Sequence, residues 1–173
     1  LAKEKGYENA LDVCTGSGAI AVTLAKNTAL AVSASDISTG ALEVAKANAI
    51  ANGLKVNFFV SDLFKAVEGK FDLITANPPY IPTADIAALS PEVHREPIAA
   101  LDGGEDGLVF YRAILRDYAQ LVKPGGLILL EMAYDQAEDL KALAAQYLPE
   151  ASVEILRDLG GNDRVTKITL PTH

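Results

Sequence analysis

The sequence contains a single cysteine and no tryptophan. Cys14 therefore has no partner for a disulfide within the chain, and we expect a reducing, cytoplasmic environment. No apolar run approaches the roughly 20 residues that cross a bilayer, which argues against a membrane protein. With 173 residues, 50% of them hydrophobic, the chain is long enough for one compact domain with a sizeable core.

Positive charge is also scarce. The 15 lysine and arginine residues are outnumbered by 23 acidic residues, and the net charge is −8. A domain that binds phosphate backbones is usually basic or carries a basic face, whereas the basic residues are scattered here. The composition therefore disfavours direct binding of nucleic acid.

Short apolar runs alternate with longer segments of helical period. The runs that predict strands are Ala10–Cys14, Leu30–Ser35, Val56–Val60, Phe71–Ala76, Leu127–Met132, Ser152–Leu156 and Arg164–Leu170. The segments that predict helices are Ala19–Lys26, Thr39–Asn52, Leu108–Val122 and Gln136–Tyr147. This order predicts an α/β fold with a mostly parallel seven-stranded sheet, helices on both faces and an antiparallel hairpin at one edge.

Two details of this prediction depend on single residues. In the second helix, Leu42, Ala45, Ala49 and Ile50 are expected on one buried face. Pro124-Gly125-Gly126 is expected to end the third helix and to turn the chain into the next strand.

The first strand is followed by a glycine loop. In Asp12-Val13-Cys14-Thr15-Gly16-Ser17-Gly18, the two glycines let the backbone approach a ligand closely, and the start of the next helix favours electron-rich groups. Asp36 ends the second strand, where a carboxylate can accept hydrogen bonds from both hydroxyls of a ribose. The loop therefore predicts a ligand of the adenosine type.

Two other interpretations of this loop remain open. It can be a tight turn from strand to helix, with Asp36 capping the helix that starts near Ser38. The run from Gly16 to Ala21 also fits G-x-G-x-x-A, the dinucleotide motif of dehydrogenases. Asp12 is either a cap for nearby backbone or a residue that orients the loop or reaches the ligand.

A second loop, Asn77-Pro78-Pro79-Tyr80, follows the strand Phe71–Ala76. In a doubly wound sheet the first and fourth strands are neighbours, and ligands bind beyond their carboxyl ends. Both loops should therefore face one crevice. A rigid turn with a surface tyrosine is the alternative, but a dehydrogenase has no use for this tetrapeptide.

The residue types in this loop suit methyl transfer to a planar nitrogen. An amide nitrogen is a poor nucleophile, and the side-chain oxygen of Asn77 and the carbonyl of Pro78 can accept hydrogen bonds from its N–H groups. The two prolines restrict the loop, and Tyr80 offers a flat face to the amide. Attack on the methyl of a sulfonium then needs no general base beforehand.

At these residues the sequence resembles the HemK/PrmC-type protein-(glutamine-N5) methyltransferases, which modify peptide chain release factors. The resemblance extends over essentially the whole chain. Besides the two loops, it includes Ile81-Pro82, Glu92-Val93, Glu96-Pro97, Ala100-Leu101, Gly103-Gly104-Glu105-Asp106-Gly107-Leu108, Tyr111-Arg112 and Asp158 to Val165.

The resemblance implies a Rossmann-like class I fold and S-adenosylmethionine as cofactor, converted to S-adenosylhomocysteine. It implies that Asp36 holds the ribose, that Asp62 and Leu63 flank the adenine, and that Asn77 contacts both cofactor and acceptor. The methionine moiety would be lined by Cys14, Thr15, Gly16, Ser17 and Gly18. The acceptor, the glutamine of a Gly-Gly-Gln loop in a release factor, would be cradled by Asn77, Pro78, Pro79 and Tyr80.

The family also carries a small helical N-terminal domain that helps to recognise the release factor. Because the sequence starts with Leu1 and reaches strand-like residues by Ala10, we expect residues 1–173 to be the catalytic domain with an upstream segment missing. Three residues depart from the family pattern: Cys14 stands at a common glycine, Leu63 at a common aromatic, and Ala133 at a common glycine.

The remaining candidates in the long loop Asn77–Glu105 and just beyond it are weaker. His94 is expected to be solvated, and Glu92, Glu96 and Asp106 either shape a substrate channel or form an acidic loop. No spacing of His, Cys and carboxylates predicts a metal site. The alternatives to glutamine methylation of release factors are methylation of another protein glutamine or of an exocyclic amine of a nucleic-acid base, and non-catalytic binding of the cofactor.

Overall fold

The computed structural model describes residues 5–90, 97–118 and 120–172. Within these ranges the strands are β1 (Asn9–Val13), β2 (Ala31–Asp36), β3 (Asn57–Val60), β4 (Phe71–Ala76), β5 (Val122–Glu131), β6 (Ser152–Arg157) and β7 (Asp163–Thr169). The α-helices are α1 (Ala19–Asn27), α2 (Thr39–Ala51), α3 (Val109–Tyr118) and α4 (Ala137–Tyr147). Two 3-10 helices, Thr83–Ala88 and Ile98–Ala100, lie in the long loop after β4.

The seven strands form one sheet in the order β3-β2-β1-β4-β5-β7-β6. Strands β1 to β5 pair in parallel, and β7 is antiparallel to both β5 and β6. The predicted α/β fold, with a mostly parallel seven-stranded sheet and an antiparallel hairpin at one edge, is therefore confirmed. The winding reverses between β1 and β4, which are neighbours as expected.

Two hydrophobic clusters lie on opposite faces of the sheet, because successive side chains of a strand point to opposite sides. Leu11 and Ile74 belong to the larger cluster, which α3 and α4 cover with residues such as Tyr111 and Leu140. The smaller cluster includes residues from β1, β2 and α1. No helix in the described part of the chain is long and apolar enough to cross a bilayer.

The predicted boundary between α3 and β5 is wrong. Val122, expected at the end of the helix, is the first residue of β5 and pairs with Phe71. Pro124-Gly125-Gly126 forms an irregularity inside the strand, between the pairs Phe71↔Val122 and Leu73↔Leu127. An added Cβ on Gly126 would lie 2.7 Å from the carbonyl oxygen of Lys123, so the chain can fold back on itself here only without a side chain.

The predicted face of α2 is correct except at one position. Leu42, Ala45 and Ala49 are buried, whereas Ile50 is 77% exposed. Ile50 follows Ala49 directly, and consecutive residues of an α-helix are about 100° apart around its axis. With Ala49 on the buried face, Ile50 therefore points to solvent.

Candidate active site at the carboxyl edge of the sheet

The two predicted ligand loops start side by side. Val13, the last residue of β1, is paired with Ala76, the last residue of β4. The glycine loop and the loop Asn77–Tyr80 therefore leave the sheet at the same edge, from adjacent strands. On the other side of β1, Val13 is paired with Ser35, and so Asp36 lies at this edge as well.

The glycine loop is fixed by its own backbone and by β2. The N–H of Thr15 donates to the carbonyl of Ser35 (3.0 Å), and the N–H of Gly18 donates to the carbonyl of Thr15 (2.8 Å). The N–H of Gly16 donates to Oδ2 of Asp36 (2.8 Å). These three donors already have acceptors in the protein. The loop thus offers a ligand a shaped surface more than a set of free N–H groups.

Gly16 and Gly18 of this loop are glycines for different physical reasons. An added Cβ on Gly16 would meet nothing within 4 Å, so the missing side chain leaves open space at the expected position of the ligand. Gly18 has a φ of +79°, and an added Cβ would lie 2.9 Å from Cβ of Ala45 in α2. Gly16, whose φ of +55° also favours glycine, therefore leaves open space for a ligand, whereas Gly18 allows α1 to start against α2.

Asp12 is a buried carboxylate that links both loops. It has no exposed surface, and its oxygens accept hydrogen bonds from the hydroxyls of Thr15 and Thr75, each at 2.6 Å. Burial raises the pKa of Asp12 to about 6, although the two hydroxyl donors lower it. Thr15 belongs to the glycine loop and Thr75 precedes Asn77 by two residues. The hydroxyl contacts fit the orienting alternative, and a backbone hydrogen bond from Ala21 fits the alternative of a backbone cap.

Two residues at this edge have strained backbones. Among the described residues other than glycine, only Cys14 (φ 56°) and Leu63 (φ 48°) have positive φ. Cys14 stands where the family commonly has glycine, and its left-handed conformation explains that preference. Such residues persist where the surrounding structure holds them, often at ligand sites. Burial, followed by Asp36, raises the pKa of the Cys14 thiol to about 12.

Asp36 connects the glycine loop to the start of α2. While Oδ2 binds Gly16, Oδ1 accepts from the N–H of Ser38 (2.9 Å), the N-cap residue of α2. The side chain that caps α2 is that of Ser38, whose hydroxyl accepts from the N–H of Ala41 (3.2 Å), and Asp36 supports this cap residue. Each carboxylate oxygen accepts more than one hydrogen bond, so these contacts leave room for ribose hydroxyls. Ile37, exposed and apolar, follows directly and was missed by sequence reasoning.

Asp62 and Leu63 follow β3 at the same edge. The buried Ser61 donates its hydroxyl to the carbonyl of Leu63 (2.7 Å) and accepts from the N–H of Ala66 (3.1 Å). Its own N–H donates to the carbonyl of Asp36 (3.0 Å). Ser61 thereby holds this turn against the residue expected to bind the ribose. Asp62 forms an exposed ion pair with Lys65.

In the second loop, exposure differs from residue to residue. Asn77 is exposed, Pro78 is buried, and Pro79 and Tyr80 are half-buried. No described residue is hydrogen-bonded to the Asn77 side chain, which leaves its amide available to a ligand. Tyr80 packs against the larger core cluster, which contains Tyr111. Burial, together with Tyr80, Glu131 and Cys14, raises the pKa of Tyr111.

Sequence reasoning missed three polar residues that shape the site: Ser61, Thr75 and Gln136. Each is buried. Thr75 stands out as a polar residue within the apolar strand Phe71–Ala76, and this was the available signal. Gln136 was assigned only to a helix start, and the contacts of its side chain are long-range.

The weaker candidate residues of the long loop and just beyond it differ in what the structure shows. Glu92, His94 and Glu96 lie outside the described residues. Asp106 forms a bidentate ion pair with Arg112 and accepts from the N–H of Leu108 (3.1 Å). The Arg112 guanidinium lowers the pKa of Asp106 to about 2. These contacts are structural. Among the residues that the structure describes, no group of three or more His, Cys, Asp or Glu is arranged to hold a metal.

The architecture is that of class I S-adenosylmethionine-dependent methyltransferases. A solved methyltransferase from Pyrococcus furiosus superposes with a TM-score of 0.72 at 24% identity, covering 94% of this chain and 74% of that one. Residues 1–117 match the family "Methyltransferase small domain", and the chain belongs to this family. The family and the fold indicate S-adenosylmethionine as the methyl donor.

Two curated relatives are more similar in sequence. The release factor glutamine methyltransferase of Agrobacterium fabrum is 44% identical over 165 residues, which are 93% of this chain and 57% of the relative. The protein of the same name from Bacillus cereus is 43% identical over 159 residues, 89% of this chain and 56% of the relative. The chain thus spans a little over half the length of these relatives.

Proposed function

We propose that this chain is the catalytic domain of an S-adenosylmethionine-dependent N-methyltransferase. Its acceptor is the side-chain amide of the glutamine in a Gly-Gly-Gln loop of a peptide chain release factor. The acceptor is supported by the chemistry of the loop Asn77–Tyr80 and by the names of the two curated relatives described above. The release factor is then a protein partner, met in the cytoplasm.

One observation carries the proposal: the pairing of Val13 with Ala76 at the ends of β1 and β4. A methyl group can pass only between groups held in contact and in line. Loops that leave neighbouring parallel strands at one edge can hold donor and acceptor at such a distance. Loops at opposite edges could not.

The residues around the glycine loop suit S-adenosylmethionine, which supplies a methyl group on a positively charged sulfur. The open space at Gly16 can receive the methionine moiety, and Cys14, Thr15, Ser17 and Gly18 form the rest of that wall. The Asp36 carboxylate can accept from the ribose hydroxyls. Asp62, Leu63 and the exposed Ile37 can border the adenine, whose faces are apolar.

The loop Asn77–Tyr80 would hold the acceptor nitrogen. The Asn77 side-chain oxygen and the Pro78 carbonyl would accept hydrogen bonds from its two N–H groups. These hydrogen bonds would orient the lone pair and stabilise the positive charge that develops on nitrogen. The prolines fix these oxygens in advance, so little reorganisation is needed. The Tyr80 ring offers the planar amide a face. The nitrogen loses its proton readily once it is methylated, so the site needs no buried base.

Methylation of a purified release factor by the intact protein tests the proposal. With labelled S-adenosylmethionine we expect one methyl per release factor, located on the Gly-Gly-Gln glutamine by mass spectrometry. A release factor with that glutamine replaced by Glu serves as the acceptor control. Asn77→Ala should lower kcat by about 100-fold or more, since pre-organised polar groups at developing charge contribute this much. Asn27→Ala is the control substitution, since the exposed Asn27 is the last residue of α1, and it should leave kcat unchanged.

The remaining hypotheses give different results in the same assay. Transfer to another protein's glutamine or to an exocyclic amine of a nucleic-acid base, with none to release factors, would replace this acceptor. Cofactor binding without transfer to any of these acceptors, and unaffected by Asn77→Ala, would indicate a binding protein.

A further inference from the structure

Gln136 is a buried polar side chain beside the loop Asn77–Tyr80. It is 6% exposed and lies between β5 and α4, at the same edge of the sheet. Its Oε1 accepts from the N–H of Ala133 (3.1 Å), and its Nε2 donates to the carbonyl of Tyr80 (3.0 Å). A longer contact of Nε2 reaches the carbonyl of Gly107 (3.5 Å). One side chain thus ties together three separate stretches of backbone.

The loop needs such an anchor because of its prolines. Pro78 and Pro79 have no N–H, so neither position can be fixed by donating to a neighbouring carbonyl. Their rings fix φ and leave ψ free, so further restraint comes from the packing of the buried Pro78 and from the residues on either side. Before the prolines, Ala76 is held in β4 by its neighbours β1 and β5. After them, the first carbonyl is that of Tyr80, and Gln136 is the side chain that donates to it.

Backbone contacts continue the anchor beyond Tyr80. The N–H of Ile81 donates to the carbonyl of Leu101 (3.0 Å), and the N–H of Gly103 donates to the carbonyl of Ile81 (2.8 Å). An added Cβ on Gly103 would lie 2.8 Å from Cα of Tyr80, and one on Gly107 would overlap the Tyr80 carbonyl oxygen. The glycines therefore bring this backbone within reach of Gln136.

We infer that Gln136 is a positioning residue that fixes the orientation of Tyr80 and, through it, of the Pro78 carbonyl. This inference rests on the proposed function, because orientation matters only if the loop holds an acceptor. Gln136 acts through backbone and contacts neither cofactor nor acceptor. Without its donor, the loop still forms but samples orientations in which the amide nitrogen is out of line with the methyl.

Two substitutions remove the donor in different ways. Gln136→Glu keeps the length and the acceptor for Ala133, and in its ionised form, which an assay at alkaline pH favours, it replaces the N–H donor with an oxygen that repels the Tyr80 carbonyl. Gln136→Met keeps the length and removes all hydrogen bonding, so it serves if the buried carboxylate prevents folding. Thr166→Val is the matched control, since its buried hydroxyl bonds to the sulfur of Met132 and not to Gln136 or Tyr80.

We expect both Gln136 variants to lower kcat for the release factor about 10- to 100-fold, the loss typical of an ångström of misplacement. The Kd for S-adenosylhomocysteine, measured by calorimetry, should stay within about two-fold of the wild-type value, because the glycine loop and Asp36 are untouched. Thr166→Val should lower the unfolding midpoint and leave kcat unchanged. A kcat within two-fold of wild type in both Gln136 variants would overturn the inference.

Hydrogen exchange separates this inference from the proposed function. If wild-type protein transfers no methyl to the release factor, the proposed function fails whatever Gln136 does. Hydrogen exchange at the amides of Ile81 and Gly103 measures how firmly the backbone beside Tyr80 is held, and this measurement needs no methyl transfer. It should be at least about 10-fold faster in the Gln136 variants than in Thr166→Val at equal global stability. Equal exchange would refute the anchor itself.

Discussion

Replacement of Asp12 by Asn tests the energetic role of the buried carboxylate that joins the two loops. The side chain has no exposed surface, and burial raises its pKa from 3.8 to about 6. A raised pKa means that the folded protein binds this proton more tightly than the unfolded chain does. Stability from Asp12 is therefore greatest at low pH and falls as the pH rises through 3.8 toward 6.

The size of the effect follows from the shift. One pKa unit corresponds to about 1.4 kcal/mol, so ionisation of Asp12 costs the folded state about 3 kcal/mol above pH 6. Between about pH 5 and about pH 7.5 the cost grows by about 1.4 kcal/mol. An asparagine carries no charge to desolvate, and its amide can still meet the hydroxyls of Thr15 and Thr75. The substitution should remove this part of the pH dependence.

Urea unfolding of wild type and Asp12→Asn at these two pH values measures the prediction. The comparison uses the change with pH in each protein, so a constant loss from an imperfect amide, about 1 kcal/mol, cancels. We expect wild type to lose about 1.4 kcal/mol more than the variant. Asp85→Asn, which removes an exposed carboxylate, should behave like wild type. The reasoning would be refuted if the free energy of unfolding changed with pH by the same amount in wild type and in Asp12→Asn.

Three further predictions concern the same edge of the sheet. Gly18→Ala should lower the free energy of unfolding by about 2–4 kcal/mol, because it combines an unfavourable φ with a contact to Ala45. Gly69→Ala, at a φ of +86° with open space, should lose only the backbone part in the same urea titration, about 1 kcal/mol. The Cys14 thiol should react with iodoacetamide at about pH 8 on the order of a thousand-fold more slowly than a free cysteine, followed by mass spectrometry, since its pKa is about 12. Asp36→Asn should weaken S-adenosylmethionine binding about 10-fold or more by calorimetry, and an unchanged Kd would remove Asp36 from the ribose site.

Local sequence patterns predicted the elements of the fold. Features that depend on long-range contacts could not be predicted from the sequence. The strand Phe71–Ala76 was predicted to the residue, because its mostly apolar residues are followed at once by Asn77-Pro78-Pro79, which ends a strand. The start of β5 was missed, since Val122 is recruited by pairing with Phe71, a partner 51 positions away. Helical period alone could not reveal that pairing.

The candidate site shows the same division. The glycine and proline motifs can be recognised from a few consecutive residues. Because each motif follows a predicted strand, both loops could be assigned to one edge of the sheet from the sequence. The roles of Thr75 and Gln136 come from hydrogen bonds to Asp12 and Tyr80, 63 and 56 positions away. The cofactor and acceptor roles of the individual residues remain predictions.

The antiparallel hairpin has a consequence for synthesis of the protein. β7 is synthesised after β6, yet it lies between β5 and β6 in the sheet. Until residues 163–169 emerge, β6 has no neighbour to pair with and β5 presents an open flank. Nascent chains therefore carry an open sheet edge at β5 and an unpaired β6, both prone to aggregation, until β7 has been synthesised.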